Sequence, residues 1–142
     1  MKPSMVAAAV WLATLPCIAA AQSVVTYHNS PARSGEYVVP GLTKTAAANL
    51  HQDPGFKTTL IGRVYAQPLY WQPPDGSQGL LIVATEANLV YALDATTGAF
   101  VWSTHLKKAA PLSALGCGDI VPEGVTGTPS STRRRRRCTW MP

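Results

Sequence analysis

The chain has 142 residues, of which 46% are hydrophobic and 13% charged, with 12 prolines, 11 glycines and a formal net charge of +5. That composition lies inside the globular range and implies a turn-rich, strand-based chain rather than a helical one. Between Gln22 and Pro129 six Lys/Arg stand against seven Asp/Glu, a net −1, whereas Arg133 to Arg137 form one block, so the distributed cations of a nucleic-acid-tracking face are not expected.

At the N-terminus Lys2 supplies a positive charge, Met5 to Leu15 is apolar, and Pro16 breaks the run before Ala19-Ala20-Ala21. Signal peptidase reads such a small-residue site, so residues 1–21 are expected to be a cleavable secretory signal peptide with Gln22 as the mature N-terminus. A membrane-spanning helix needs about 20 apolar residues. The run is shorter than that, an uncleaved anchor is the alternative, and no membrane contact is expected after cleavage. The mature chain is expected to be exported, either periplasmic or secreted. Cys17 would leave with the leader, and Cys117 and Cys138 would remain; an exported protein could join them, but two cysteines do not make a disulfide framework.

From Val24 to Gly41 the chain is extended and broken by turns. Thr43 is a plausible N-cap for one helical turn over Thr43 to Asn49, where the alanines favour helix. Five strand candidates follow. Leu60 to Ala66 and Pro68 to Trp71 are expected to form a first pair, with Pro68 confined to a strand start or edge. After the turn Gln72-Pro73-Pro74-Asp75-Gly76-Ser77, the apolar run within Gly79 to Thr85 has the length of a strand covered on both faces. Leu89 to Asp94 and Phe100 to His105 are the fourth and fifth, joined by Asp94-Ala95-Thr96-Thr97-Gly98, in which Asp94 can cap the turn and Gly98 can take a left-handed backbone. The fold class expected is all-β.

The stretch Val90 to Gly98 followed by Trp102 resembles the repeat of quinoprotein-like (pyrroloquinoline-quinone-type) β-propellers, A-x-D-x-x-T-G-x-x-x-W, with Ala92, Asp94, Thr97, Gly98 and Trp102 at the corresponding positions. In such a blade the Asp and Thr-Gly close a hairpin, and the tryptophan offers a broad apolar surface to a neighbour. Three further stretches are similar to a secreted bacterial subgroup of these propellers. They are Thr26-Tyr27-His28-Asn29 with Ala32-Arg33-Ser34-Gly35, Val64-Tyr65-Ala66-Gln67-Pro68-Leu69-Tyr70, and Gly116-Cys117-Gly118-Asp119-Ile120 with Pro122-Glu123 and Gly127-Thr128-Pro129. The resemblance implies that residues 22–129 are the N-terminal part of a propeller, one to two blades of antiparallel strands, after the signal peptide. An unrelated sandwich or meander with one Asp-Thr-Gly hairpin is the other reading of the same turns.

Residues 130–142 continue no strand pattern. Reading the codons permitted for this segment one base back turns Cys138-Thr139-Trp140-Met141-Pro142 into Val/Leu/Met, Tyr/His, Val/Leu/Met, Asp, Ala. Serine and arginine codons permit Val-Val-Asp-Pro and then small residues before it, a strand, a turn and a strand. A frameshift that ends the reading frame within a propeller is therefore expected, leaving a basic, disordered tail. A true basic tail that binds an acidic partner is the alternative.

Quinoprotein dehydrogenases of the resembled family hold pyrroloquinoline quinone and calcium on the propeller axis, and no residue of this chain maps onto those positions. No cofactor is evident; quinone and calcium belong only to a full-length parent. Asp119 and Glu123, beside Cys117, are too few for a calcium site, and His28, His51 and His105 lack metal-ligand spacing. No catalytic residue is assigned. Two functional classes remain: a truncated exported propeller that acts as a binding or scaffold module for a partner or carbohydrate, or the N-terminal fragment of a quinone-dependent dehydrogenase whose catalytic blades are missing. In both, the missing downstream blades are partners. A ring that cannot close leaves unpaired sheet edges, so poor folding and aggregation are expected.

Overall fold

The structure is a computed structural model that describes residues 22–130, so the expected signal peptide and all of the arginine-rich tail except Ser130 lie outside the described residues. The described residues are all-β in character: one four-stranded antiparallel sheet in the order β1-β2-β3-β4, with a single five-residue helix and two 3-10 turns beside it. The strands are β1 (Leu69–Trp71), β2 (Leu80–Ala84), β3 (Leu89–Asp94) and β4 (Phe100–His105). Among the described residues no helix is long and apolar enough to cross a membrane.

Each strand ends where the sequence supplies a turn. Between β2 and β3 the chain reverses over Thr85 to Asn88, where Asn88 takes φ +59° and its N–H donates to the Thr85 carbonyl at 3.0 Å. Asparagine tolerates this left-handed conformation better than most residues. The register pairs Leu81 with Leu93 and Val83 with Tyr91, which puts these four side chains on one face. Val83, Tyr91 and Leu93 are the buried centre of the core, with Leu60, Leu81 and Leu89 packed against them. Leu93 is 1% exposed, and burial of such a side chain stabilises by about 1.5–3 kcal/mol.

Helix α1 (Lys44–Ala48) forms where the sequence suggests, and the Thr43 hydroxyl accepts the Ala46 N–H at 3.1 Å as its N-cap. It is fully exposed and buries nothing against the sheet.

The expected first strand pair is corrected. Leu60 to Ala66 is not a strand, and the outer edge of β1 is met instead by Val24, whose N–H and C=O both bond to Tyr70 at 2.8 and 2.9 Å. The cause is Gly62. Its φ of +94° breaks the extended conformation, and a Cβ there would lie 2.9 Å from the Thr85 side chain. The segment crosses the core instead of pairing with β1: Leu60 packs on it, and the Ile61 N–H donates to the Tyr91 hydroxyl at 3.1 Å. The apolar run in β2 is also less covered than its composition suggests, since Leu80, Leu81 and Ile82 are half-buried and only Val83 and Ala84 are buried.

Candidate functional site

Two places bring sequence-flagged residues together. The first is the hairpin between β3 and β4. The Asp94 carboxylate Oδ1 accepts the N–H groups of Thr96 and Thr97 at 2.6 and 2.8 Å, and the Asp94 carbonyl accepts the Gly98 N–H at 2.9 Å. These bonds hold the Asp94 carboxyl below the usual carboxylate range, the Thr97 N–H foremost, against the opposing effect of desolvation. Gly98 has φ +76°, and a Cβ there would lie 3.0 Å from the Lys57 carbonyl oxygen, so both the turn and the close approach of the Phe56-Lys57 backbone exclude a side chain.

Beyond the turn, Phe100 pairs with Leu93 and Trp102 with Ala92, which leaves Val101 as the extra residue of a β-bulge. The bulge makes the first and last residues of the repeat motif cross-strand partners. Ala92 is completely buried, whereas Trp102 is 43% exposed. The five motif residues thus build a hairpin.

The second place is a broad open groove of about 1520 Å³. Its walls come from loops, and no strand residue lines it. Tyr27 and Arg33 come from the first stretch that carries the family resemblance, and Tyr65 and Gln67 from the segment before β1. Lys107 and Lys108 follow β4, while Glu123 and Thr128 lie on the final segment. Three stretches of the resemblance, separated by up to about a hundred positions, therefore converge on one feature. Hydrogen bonds join them: the His28 N–H donates to Gln67 Oε1 at 3.2 Å, and the Gln67 N–H donates to Thr128 Oγ1 at 3.0 Å.

The lysines are positioned by the β2–β3 turn. Asn88 Nδ2 donates to the Lys107 carbonyl at 2.7 Å, and the Leu106 N–H donates to the Asn88 carbonyl at 2.8 Å. The Arg33 guanidinium lies 5.9 Å from the Tyr27 ring centroid, within cation–π range, and Tyr27 stacks on His28 at 3.9 Å.

The remaining candidates are dispersed. Asp119 is exposed, and Glu123 is half-buried and joined to Ala110 by a two-residue bridge. His28, His51 and His105 each place a ring nitrogen within 3.2 Å of a main-chain carbonyl, of Arg33, Asn49 and Ala87 respectively, so the first two serve their own loops and His105 ties the end of β4 to the β2–β3 turn. Among the described residues no three His, Cys, Asp or Glu converge as a metal site would require. Cys117 is exposed and forms no disulfide among the described residues, and Cys138 lies outside them.

Residue-by-residue reading of the sequence did not find the groove. Tyr65 and Gln67 belong to a stretch that carries the resemblance, and Lys107 and Lys108 to none, but no spacing in the sequence shows that the four meet. Comparisons of the chain with protein-family models, curated proteins and solved structures find no match.

Proposed function

We propose that the chain is the first blade, with its flanking loops, of an exported quinoprotein-like propeller, and that it acts as a binding or scaffold module rather than as a catalyst. The observation that carries this is the β3–β4 hairpin: Asp94, Thr97 and Gly98 close it, and Trp102 returns opposite Ala92 within a four-stranded antiparallel meander. A blade has this strand number and order. The exposed apolar side chains of β4, Phe100, Val101 and Trp102, support the same reading, since they offer an adjoining blade a surface to cover. The groove supports a binding role, because its lining brings polar, cationic and aromatic side chains together with apolar ones.

Resequencing the gene from the Gly127 codon through the following kilobase tests this. A one-base change that restores Val-Val-Asp-Pro, followed by further Asp-x-x-Thr-Gly repeats, is expected. A confirmed frame with nothing repeat-like after it would overturn the blade assignment.

A further inference from the structure

Half of the cations between Gln22 and Pro129 line the groove, since Arg33, Lys107 and Lys108 are three of six. Among its lining residues the only acid is Glu123, whereas the same stretch of chain is net negative as a whole. The groove is therefore a local cationic feature on an otherwise acidic body. All three cations are exposed, so a ligand meets their charge without a desolvated cavity having to form.

The rest of the lining limits what the anion is. Thr26, Ser30, Gln67, Asn88, Thr126 and Thr128 supply hydroxyl and amide groups that both donate and accept. The exposed Tyr65 supplies an aromatic ring, and Tyr27 backs the Arg33 guanidinium. A peptide in extended form would look for a free strand edge, and none lines the groove. A single small molecule fills about 300–1000 Å³, less than the space here, so the shape suits a short chain of linked units. Hydroxyl-rich rings that stack on tyrosine and carry regularly placed carboxylates match the cationic, polar and aromatic parts of this lining, and the apolar faces of such rings suit Pro31, Leu106 and Val125.

We infer that the groove between Tyr27–Arg33, Tyr65–Gln67 and Lys107–Lys108 binds an acidic oligosaccharide, a chain of uronate sugars. The three cations take its carboxylates, the threonine, serine and amide groups take its hydroxyls, and Tyr65 stacks on a ring face. The inference rests on the reading of the chain as a binding module and names the ligand class of that groove.

The test is calorimetric titration of the full mature chain at low ionic strength with tetragalacturonate. Maltotetraose serves as the neutral control, and hexaglutamate and a thymidine octanucleotide as acidic non-sugars. Saturable binding of tetragalacturonate is expected, and in the chain whose Arg133 to Arg137 are replaced by glutamine, where no tail attracts polyanions, each of the other three should be weaker by about tenfold or more. Lys107→Ala with Lys108→Ala should weaken binding about tenfold, and because both side chains are exposed the variant should keep the parent circular dichroism. Replacing Arg133 to Arg137 by glutamine, which removes the basic tail while keeping the groove, should change affinity less than about twofold.

Equal or tighter binding of hexaglutamate or the oligonucleotide by the tail variant would overturn the assignment of ligand class. Unchanged affinity in the lysine variant, or loss of binding in the tail variant, would overturn the assignment of site. Resequencing separates the two levels. Restored repeats without uronate binding sink the ligand and keep the blade, and uronate binding without restored repeats does the reverse.

Discussion

Strands β3 and β4 are equal in length, adjacent and both apolar over their first three residues, yet every residue of β3 from Val90 to Asp94 is buried and every residue of β4, Phe100, Val101 and Trp102 included, is exposed. Ser103, Thr104 and His105 account for part of this, but for the apolar residues of the two strands the difference lies in position. β3 is hydrogen-bonded on both sides and covered by Leu60 and its own hairpin, whereas β4 has a neighbour only on the β3 side. An apolar side chain contributes stability only where another element removes it from water. Phe100, Val101 and Trp102 remain about half exposed for want of such an element among the described residues.

This contrast sets a ranking of mutational effects. Leu93→Ala should be the most damaging, costing about 2–5 kcal/mol as transfer and cavity losses add, whereas Leu112→Ala, at a site that is 42% exposed, should change stability by no more than about 0.5 kcal/mol. Urea denaturation of the two variants measures this, and equal effects would remove the distinction between core and periphery. Gly98→Val should follow, at about 1–3 kcal/mol for the enforced positive φ, with a further loss if the Phe56-Lys57 backbone is displaced. An unchanged melting curve would show that the hairpin does not have the described geometry.

The Asp94 carboxylate adds a pH signature to the buried strand. Because its folded value lies below the ordinary one near 3.9, it contributes stability at higher pH, and that contribution is lost as pH falls through the lowered folded value. In acid titration followed by circular dichroism, the wild-type chain should lose stability over a range that Asp94→Asn does not share, with the two curves converging at the acid end. Parallel curves would mean that the carboxylate is not capping the turn. The smallest effect on stability is expected at the exposed strand. Val101→Lys should alter the unfolding free energy by less than about 0.5 kcal/mol yet reduce light scattering, since a charge on an edge strand opposes edge-to-edge pairing.

The same contrast explains what was legible in the sequence. β3, β4 and their hairpin could be read residue by residue, because β-branched and aromatic runs on either side of Asp94 and Gly98 specify each other locally. The Thr43 cap was legible for the same reason. Leu60 to Ala66 misled because its composition suits a strand, while Gly62 at positive φ against Thr85 turns it into a cover for the core. The Val24–Tyr70 bridge joins positions 46 residues apart and leaves no local pattern. The groove was invisible for a similar reason. Arg33 and Tyr65 stand in separate stretches that carry the resemblance and Lys107 in none, and only the fold and the Asn88 turn bring them to one place.

Residue-resolved amide hydrogen exchange on residues 22–142 tests the central claim, that order is concentrated on β3 and declines towards β4 and the loops. The slowest exchange should fall on Tyr91, Ala92 and Leu93, with β2 next, β4 faster and the groove loops fastest. Uniform rapid exchange through β3, or protection in β4 equal to that in β3, would contradict the account.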